Sequence, residues 1–375
     1  MPRPPLLATL AAAALAVGVL AQGAAASHVP SGARSASASF IGRLHTVSRI
    51  GSTVPPNGDI NPYGLAVVPT SVGALHAGDY LVSNFNAKSN NQGTGTTIVQ
   101  LSPTGKLSVF ATLTAKSLPG ACPGGVGLTT ALAILPGGYV VVGSLPTTNG
   151  QSATAKLGCL IVTNSRGRPV ETISGGDIQG PWDMTSVTQG STATLFVSNV
   201  LTGGAVDGLH TVDNSTVLRI RLSTGGGIPK VTSETVVASG IPWRDDKAAL
   251  AIGPTGVGVG PNGTLYVADT LESAIIAIPN AMTRTTALAD KGIAITTGGH
   301  LKQPLGLLIA PNGDVVTTNA GDGNMVETTP AGNQVAVVTA DAKTGAGTLF
   351  GVAVAPDRKS VVFVDDGFND LRLLH

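Results

Sequence analysis

One stretch of about sixteen residues is written twice, fifty residues apart, with little change. The first copy runs from Pro254 through Pro261-Asn262-Gly263 to Asp269, and the second from Pro304 through Pro311-Asn312-Gly313 to Asn319. Each reads as a short β-branched strand, a tight turn on Asn-Gly, and a second strand ending in Asp or Asn. A unit of this length cannot bury an apolar face alone, so copies must pack side by side.

Four degenerate copies complete the series. Their inner strands begin at Pro62-Tyr63-Gly64, Ala131-Leu132, Pro181-Trp182-Asp183 and Phe350-Gly351, and each is followed by a second apolar run. Marker positions 64, 131, 183, 256, 306 and 351 lie 45 to 73 residues apart, room for four strands per unit with variable loops. Outer strands are expected over 97–101, 107–111, 159–163, 169–173, 217–222 and 334–338. The predicted fold is an all-β, six-bladed β-propeller of four-stranded antiparallel blades, with seven blades the competing count. The last blade is one strand short, and the segment from Phe40 to Val47 is expected to supply it, removing the open edges of the array.

The pattern P-x-G-[VL]-x-[VI]-x-P-N-G-x-[LV]-x-V-x-[DN] resembles the NHL-repeat propellers and the wider six-bladed superfamily of gluconolactonase/regucalcin-like proteins. The resemblance spans nearly all of the chain after its first residues. It implies the fold and leaves the activity open, because that architecture carries lactonases, lyases and binding modules alike. It also implies one divalent ion held by Asn and Asp at strand ends with a Glu from an inner strand. This chain departs from that set: no inner strand carries a Glu near its start, and Asp183 is the nearest acidic residue.

The second strands end in Asn84, Ser144, Asn199, Asp269, Asn319 and Asp365. Oxygen-bearing side chains in a ring suit a hard cation such as Ca²⁺, and Asn199, Asp269, Asn319 and Asp365 are the candidate ligands. The same residue types also cap turns through their own side chains, and that alternative stays open. Long connections over 84–97, 144–157, 199–216 and 240–255 are expected to rise on one end of the channel. Functional residues gather on loops held by a rigid scaffold. Asn84, Asp183, Asn199, His210, Arg244 and Asp245 are therefore the candidate ligand-binding residues of that rim. Trp182 and Trp243 could stack on a sugar ring or fill core.

Only 11% of residues are charged and the formal net charge is +1, so there is no electrostatic case for nucleic acid. Hydrophobic residues reach 42% in strand-length runs, which excludes a disordered chain despite 50 glycines. Arg3, an apolar stretch from Leu6 to Ala21 and the Ala24-Ala25-Ala26 site read as a signal peptide over 1–26, followed by a flexible 27–38 and one domain over 39–375. An uncleaved anchor is the alternative. Export to the periplasm or exterior would let the only two cysteines, Cys122 and Cys159, pair. The expected molecule is a monomeric binding module for a small polar molecule, a glycan or a protein. Its rivals are a metal-dependent hydrolase or lyase and a structural envelope protein.

Overall fold

The computed structural model describes residues 39–202, 210–247, 249–343 and 347–375. The leader read over 1–26 and the segment 27–38 lie outside the described residues. Six antiparallel sheets follow one another in chain order, and each of the first five is a meander whose inner strand comes first. The inner strands are Ile60–Val67, Leu128–Leu135, Gly180–Gln189, Pro254–Val259, Pro304–Ile309 and Leu349–Val354. The chain is thus a six-bladed β-propeller, and the marker positions fall one to a blade.

Both Pro-Asn-Gly turns have the same geometry. Gly263 and Gly313 stand at φ +75° and +87°, a conformation that costs a side chain but not glycine. Asn262 and Asn312 accept from the backbone N–H two residues on, each at 3.1 Å. The repeated motif is therefore a strand-reversal device.

The sixth blade is closed from the other end of the chain, by a strand slightly later than expected. Val47–Ser52 pairs antiparallel with Asp370–Leu374 as the outermost strand. Ile41–Arg43, expected to be extended, is a turn of 3₁₀ helix. Phe40, Ile41 and Leu44 are buried against Val316, Met325 and Ala340 of blade five and its exit, so they staple rather than pair. The fully buried carboxylate of Glu327 accepts from the backbone N–H groups of Phe40 and Ile41, at 2.7 and 2.8 Å, which fixes that turn.

Separate apolar clusters fill the seams between neighbouring blades, as between blades two and three (Leu160, Val162, Leu195, Leu218) and three and four (Phe196, Val237, Val267, Ile276). Cys122 and Cys159 form a disulfide with Cα atoms 5.4 Å apart, closing a separation of 37 residues. No helix among the described residues is long and apolar enough to cross a membrane.

Candidate functional site

Every inner strand shifts register against its partner beside the marker position. There the strands of adjacent blades approach closely. A Cβ built on Gly256, Gly306 or Gly351 would lie 2.0–2.4 Å from a backbone carbonyl oxygen of the next blade, which explains the glycines. The approach is held by hydroxyls. Ser83, Ser198 and Thr318 accept from the N–H of Gly64, Asp183 and Gly306 and donate to a carbonyl of the following blade. Asp183 thus occupies the place that Gly64, Ala131, Gly256, Gly306 and Gly351 hold elsewhere, the one large side chain among six.

The residue before the marker closes the channel. Tyr63, Trp182, Leu305 and Phe350 occupy that position in four blades and share one apolar cluster with Phe85. The Tyr63 ring stacks on Phe350 and Phe85, with centroids 3.9 and 4.5 Å apart, and meets Trp182 edge-on at 5.6 Å. Burial and the charges of Asp366 and Asp246 hold the Tyr63 hydroxyl well above the usual tyrosine range, against the pull of Asn61. Over this plug lies an element that the sequence suggested was a loop. The outer strand of blade three runs on as Lys230–Asp246 and pairs with Leu250–Ile252, placing Trp243, Leu250 and Ala251 on the same cluster.

Past the marker the channel is hollow. A cavity of about 420 Å³ is lined by Leu65, Leu132, Met184, Val257, Leu307 and Val352, each one residue beyond its marker, and by the strand residues that follow. Inner strands have a partner on one side only, so their free backbone edges share the wall. The cavity reaches Pro69 and Val187, toward the turns between first and second strands, and so opens at the end opposite the long connections. The channel expected beneath those connections is therefore shut at their end and open at the other.

Asp183 lies at the blind end and is the only ionisable residue of the lining among the described residues. Its carboxylate accepts from the N–H groups of Met184 and of Val257 on the next blade, the latter at 3.2 Å. Burial nevertheless pushes its pKa up to about 7, and no charged neighbour offsets this. Thr130 on blade two lines the same cavity, and its hydroxyl is buried and has no hydrogen-bond partner.

The strand-end residues are tied into their own surroundings, although the Oδ1 atoms of Asn84 and Asn319 accept no hydrogen bond. Asn199 Oδ1 accepts from the N–H groups of Gln179 and Gly180, and its Nδ2 donates to the Asp177 carbonyl at 2.9 Å. Asn84 donates to the Thr53 carbonyl and Asn319 to the His300 carbonyl, at 3.1 and 2.8 Å. Asp269 accepts from the Glu272 N–H in its own turn, while burial raises its pKa to about 6. Asp365, raised by burial to about 6 despite Arg372, has the Arg372 guanidinium at 3.2 Å. Asn199 and Asp269 thus hold backbone N–H groups through their side-chain oxygens, whereas Asn319 Oδ1 and both Asp365 carboxylate oxygens are buried without a hydrogen bond. Among the described residues, no three His, Cys, Asp or Glu side chains form a group that could hold a metal.

The remaining rim residues also separate. Arg244 pairs loosely with Asp246 at 3.8 Å, not with Asp245, because alternate residues of a strand share a face. Asp245 points the other way and is buried. His210 is exposed at the edge of the undescribed 203–209. Trp182 and Trp243 are buried in the plug and offer no stacking surface. Sequence reasoning missed Thr130 and the bridging hydroxyls. The recurring Ser83-Asn84, Ser198-Asn199 and Thr318-Asn319 pairs were the available signal.

No protein-family model matches the chain, and no curated protein does. Solved structures do. A gluconolactonase from Xanthomonas campestris superposes with a TM-score of 0.54 at 13% identity, covering 88% of this chain and 95% of that one. Regucalcin, a calcium-binding protein from Agrobacterium tumefaciens, gives 0.51 at 14% identity over 87% and 93% of the two chains. A luciferin-regenerating enzyme gives 0.52 at 10% identity over 88% and 95%. The chain has the six-bladed fold of the gluconolactonase/regucalcin-like propellers. At these identities the likeness is one of architecture.

Proposed function

We propose that this propeller is a binding module that takes a small molecule into its central channel, from the end opposite the long connections, with Asp183 as the polar anchor. The observation that carries this reading is the single carboxylate at the blind end of a 420 Å³ cavity, in a position the other blades give to glycine or alanine. Ligand pockets of about 300–1,000 Å³ with few polar groups take small molecules, whereas protein partners need broad surfaces. A glycan reading has lost its stacking tryptophans. Capture outside the cytoplasm by a monomer fits the disulfide and the leader-like first residues.

The Met184 methyl group is a reporter in the channel wall. A screen of small soluble fragments should shift its NMR signal, and Ser186→Trp, which fills the channel, should abolish the shift. Fragments that bind without moving Met184, or that bind Ser186→Trp equally well, would refute the channel as the site.

The alternative is a hydrolase or lyase of the lactonase-like propeller type built on one divalent ion. Of its candidate ligands Asn199, Asp269, Asn319 and Asp365, it requires Asn199 and Asp269 to release the N–H groups that their oxygens now hold, and Asp365 to leave its ion pair with Arg372. Calorimetric titration with Ca²⁺, Mn²⁺ and Zn²⁺ should therefore be flat; heat that disappears in Asp269→Ala would favour the enzyme.

A further inference from the structure

The lining of the channel is unbalanced in charge. Asp183 faces no Lys, Arg or His there, and no second carboxylate with which to hold a divalent ion. Its own hydrogen bonds come from two backbone N–H groups, fewer than a carboxylate can accept. Packing does not explain the residue either. At the equivalent positions a Cβ would press on the next blade's backbone, so the repeat favours glycine and blade three departs from it. Thr130 lines the same cavity, and its buried hydroxyl has oxygen lone pairs and no partner. The inner strands have no partner strand on their channel side, so their backbone edges add polar groups to the wall. The blind end therefore holds one negative charge, several acceptors and aliphatic walls, which is the complement of a substituted ammonium ion on a compact apolar body.

We infer that the ligand class of this channel is a small organic cation, a primary amine with an apolar body, whose ammonium group pairs with Asp183 and donates to Thr130. The inference rests on the channel reading above and narrows it. Pairing needs the ionised carboxylate, and burial holds Asp183 at about 7 in the empty channel. Amine binding should therefore tighten as the pH rises through neutrality and release a proton. Among the described residues, no other titratable side chain lines the cavity to produce the same dependence.

The test uses benzylamine, benzyl alcohol and benzoate, three probes of one shape and different charge. Each is titrated calorimetrically into the full chain at acidic and mildly alkaline pH. Benzylamine should bind at alkaline pH at least about tenfold more tightly than benzyl alcohol, and weaken by a similar factor in acid. Asp183→Asn should remove this preference while leaving benzyl alcohol unchanged. Asp183→Gly, which restores the residue of the other blades, serves if the Asn variant does not fold. Benzyl alcohol or benzoate binding as tightly as benzylamine, or benzylamine binding unaltered in both variants, overturns the cation inference and leaves the channel reading standing. If none of the three binds and the Met184 signal stays still, both fall.

Discussion

The two ends of the channel are built by the same six strands, two residues apart. One residue before the marker, blades one, three and six present Tyr63, Trp182 and Phe350, and their rings meet on the axis and exclude solvent. One residue after it, the same strands present Leu65, Met184 and Val352, which line the open cavity. Ring size at one position of a repeat thus decides which end of a propeller is core and which is pocket. Long connections mark the sealed end here, so loop length alone is a poor guide to the mouth.

The largest effect should come from breaking the sealed end. Trp182→Ala should cost about 3–5 kcal/mol in denaturant unfolding, whereas Val67→Ala on the open side should cost about 1 kcal/mol or less. Equal losses would erase the contrast. Replacing Cys122 and Cys159 by serine should cost about 2–4 kcal/mol, because their link constrains the unfolded chain. A change well below 1 kcal/mol would show that the loop is pinned by packing alone.

Asp183 sharpens the comparison at the boundary between the ends. Its carboxyl is protonated up to about pH 7 when folded but ionises near the ordinary carboxylate value when unfolded. The stabilisation from that retained proton is complete below the unfolded value and is lost as pH rises through about 7. Asp183→Asn should therefore be more stable than the parent at pH 8 by roughly 2 kcal/mol, channel water screening part of the burial cost, with no such gain near pH 4. Melting curves across that range would show a constant difference if the group were not buried. Smallest of all, Arg244→Ala should change stability by no more than about 0.5 kcal/mol, since a 3.8 Å ion pair on the sealed end contributes little.

The architecture was legible because the repeat is local: Pro-Asn-Gly turns and alternate apolar residues declare strands wherever they stand. Blade number followed from marker spacing alone. What escaped were features set by distant partners. The closing strand was expected over Phe40–Val47, but Glu327 and blade five capture Phe40 and Ile41 first and move pairing to Val47–Ser52. Residues 240–255 have the polarity of a loop, yet Trp243 and Leu250 draw them into a hairpin over the plug. Asp183 was visible as an acidic residue, while its solitude emerges only when six strands are seen around one axis.

Closure by Val47–Ser52 against Asp370–Leu374 also has a consequence in time. The first of the described strands belongs to the last blade to be finished. It must wait, unpaired, through roughly three hundred residues of synthesis, because so non-local a contact cannot form before its partner exists. Loss of Asp370–Leu374 would remove that partner altogether, so the ring completes only once that strand has been made.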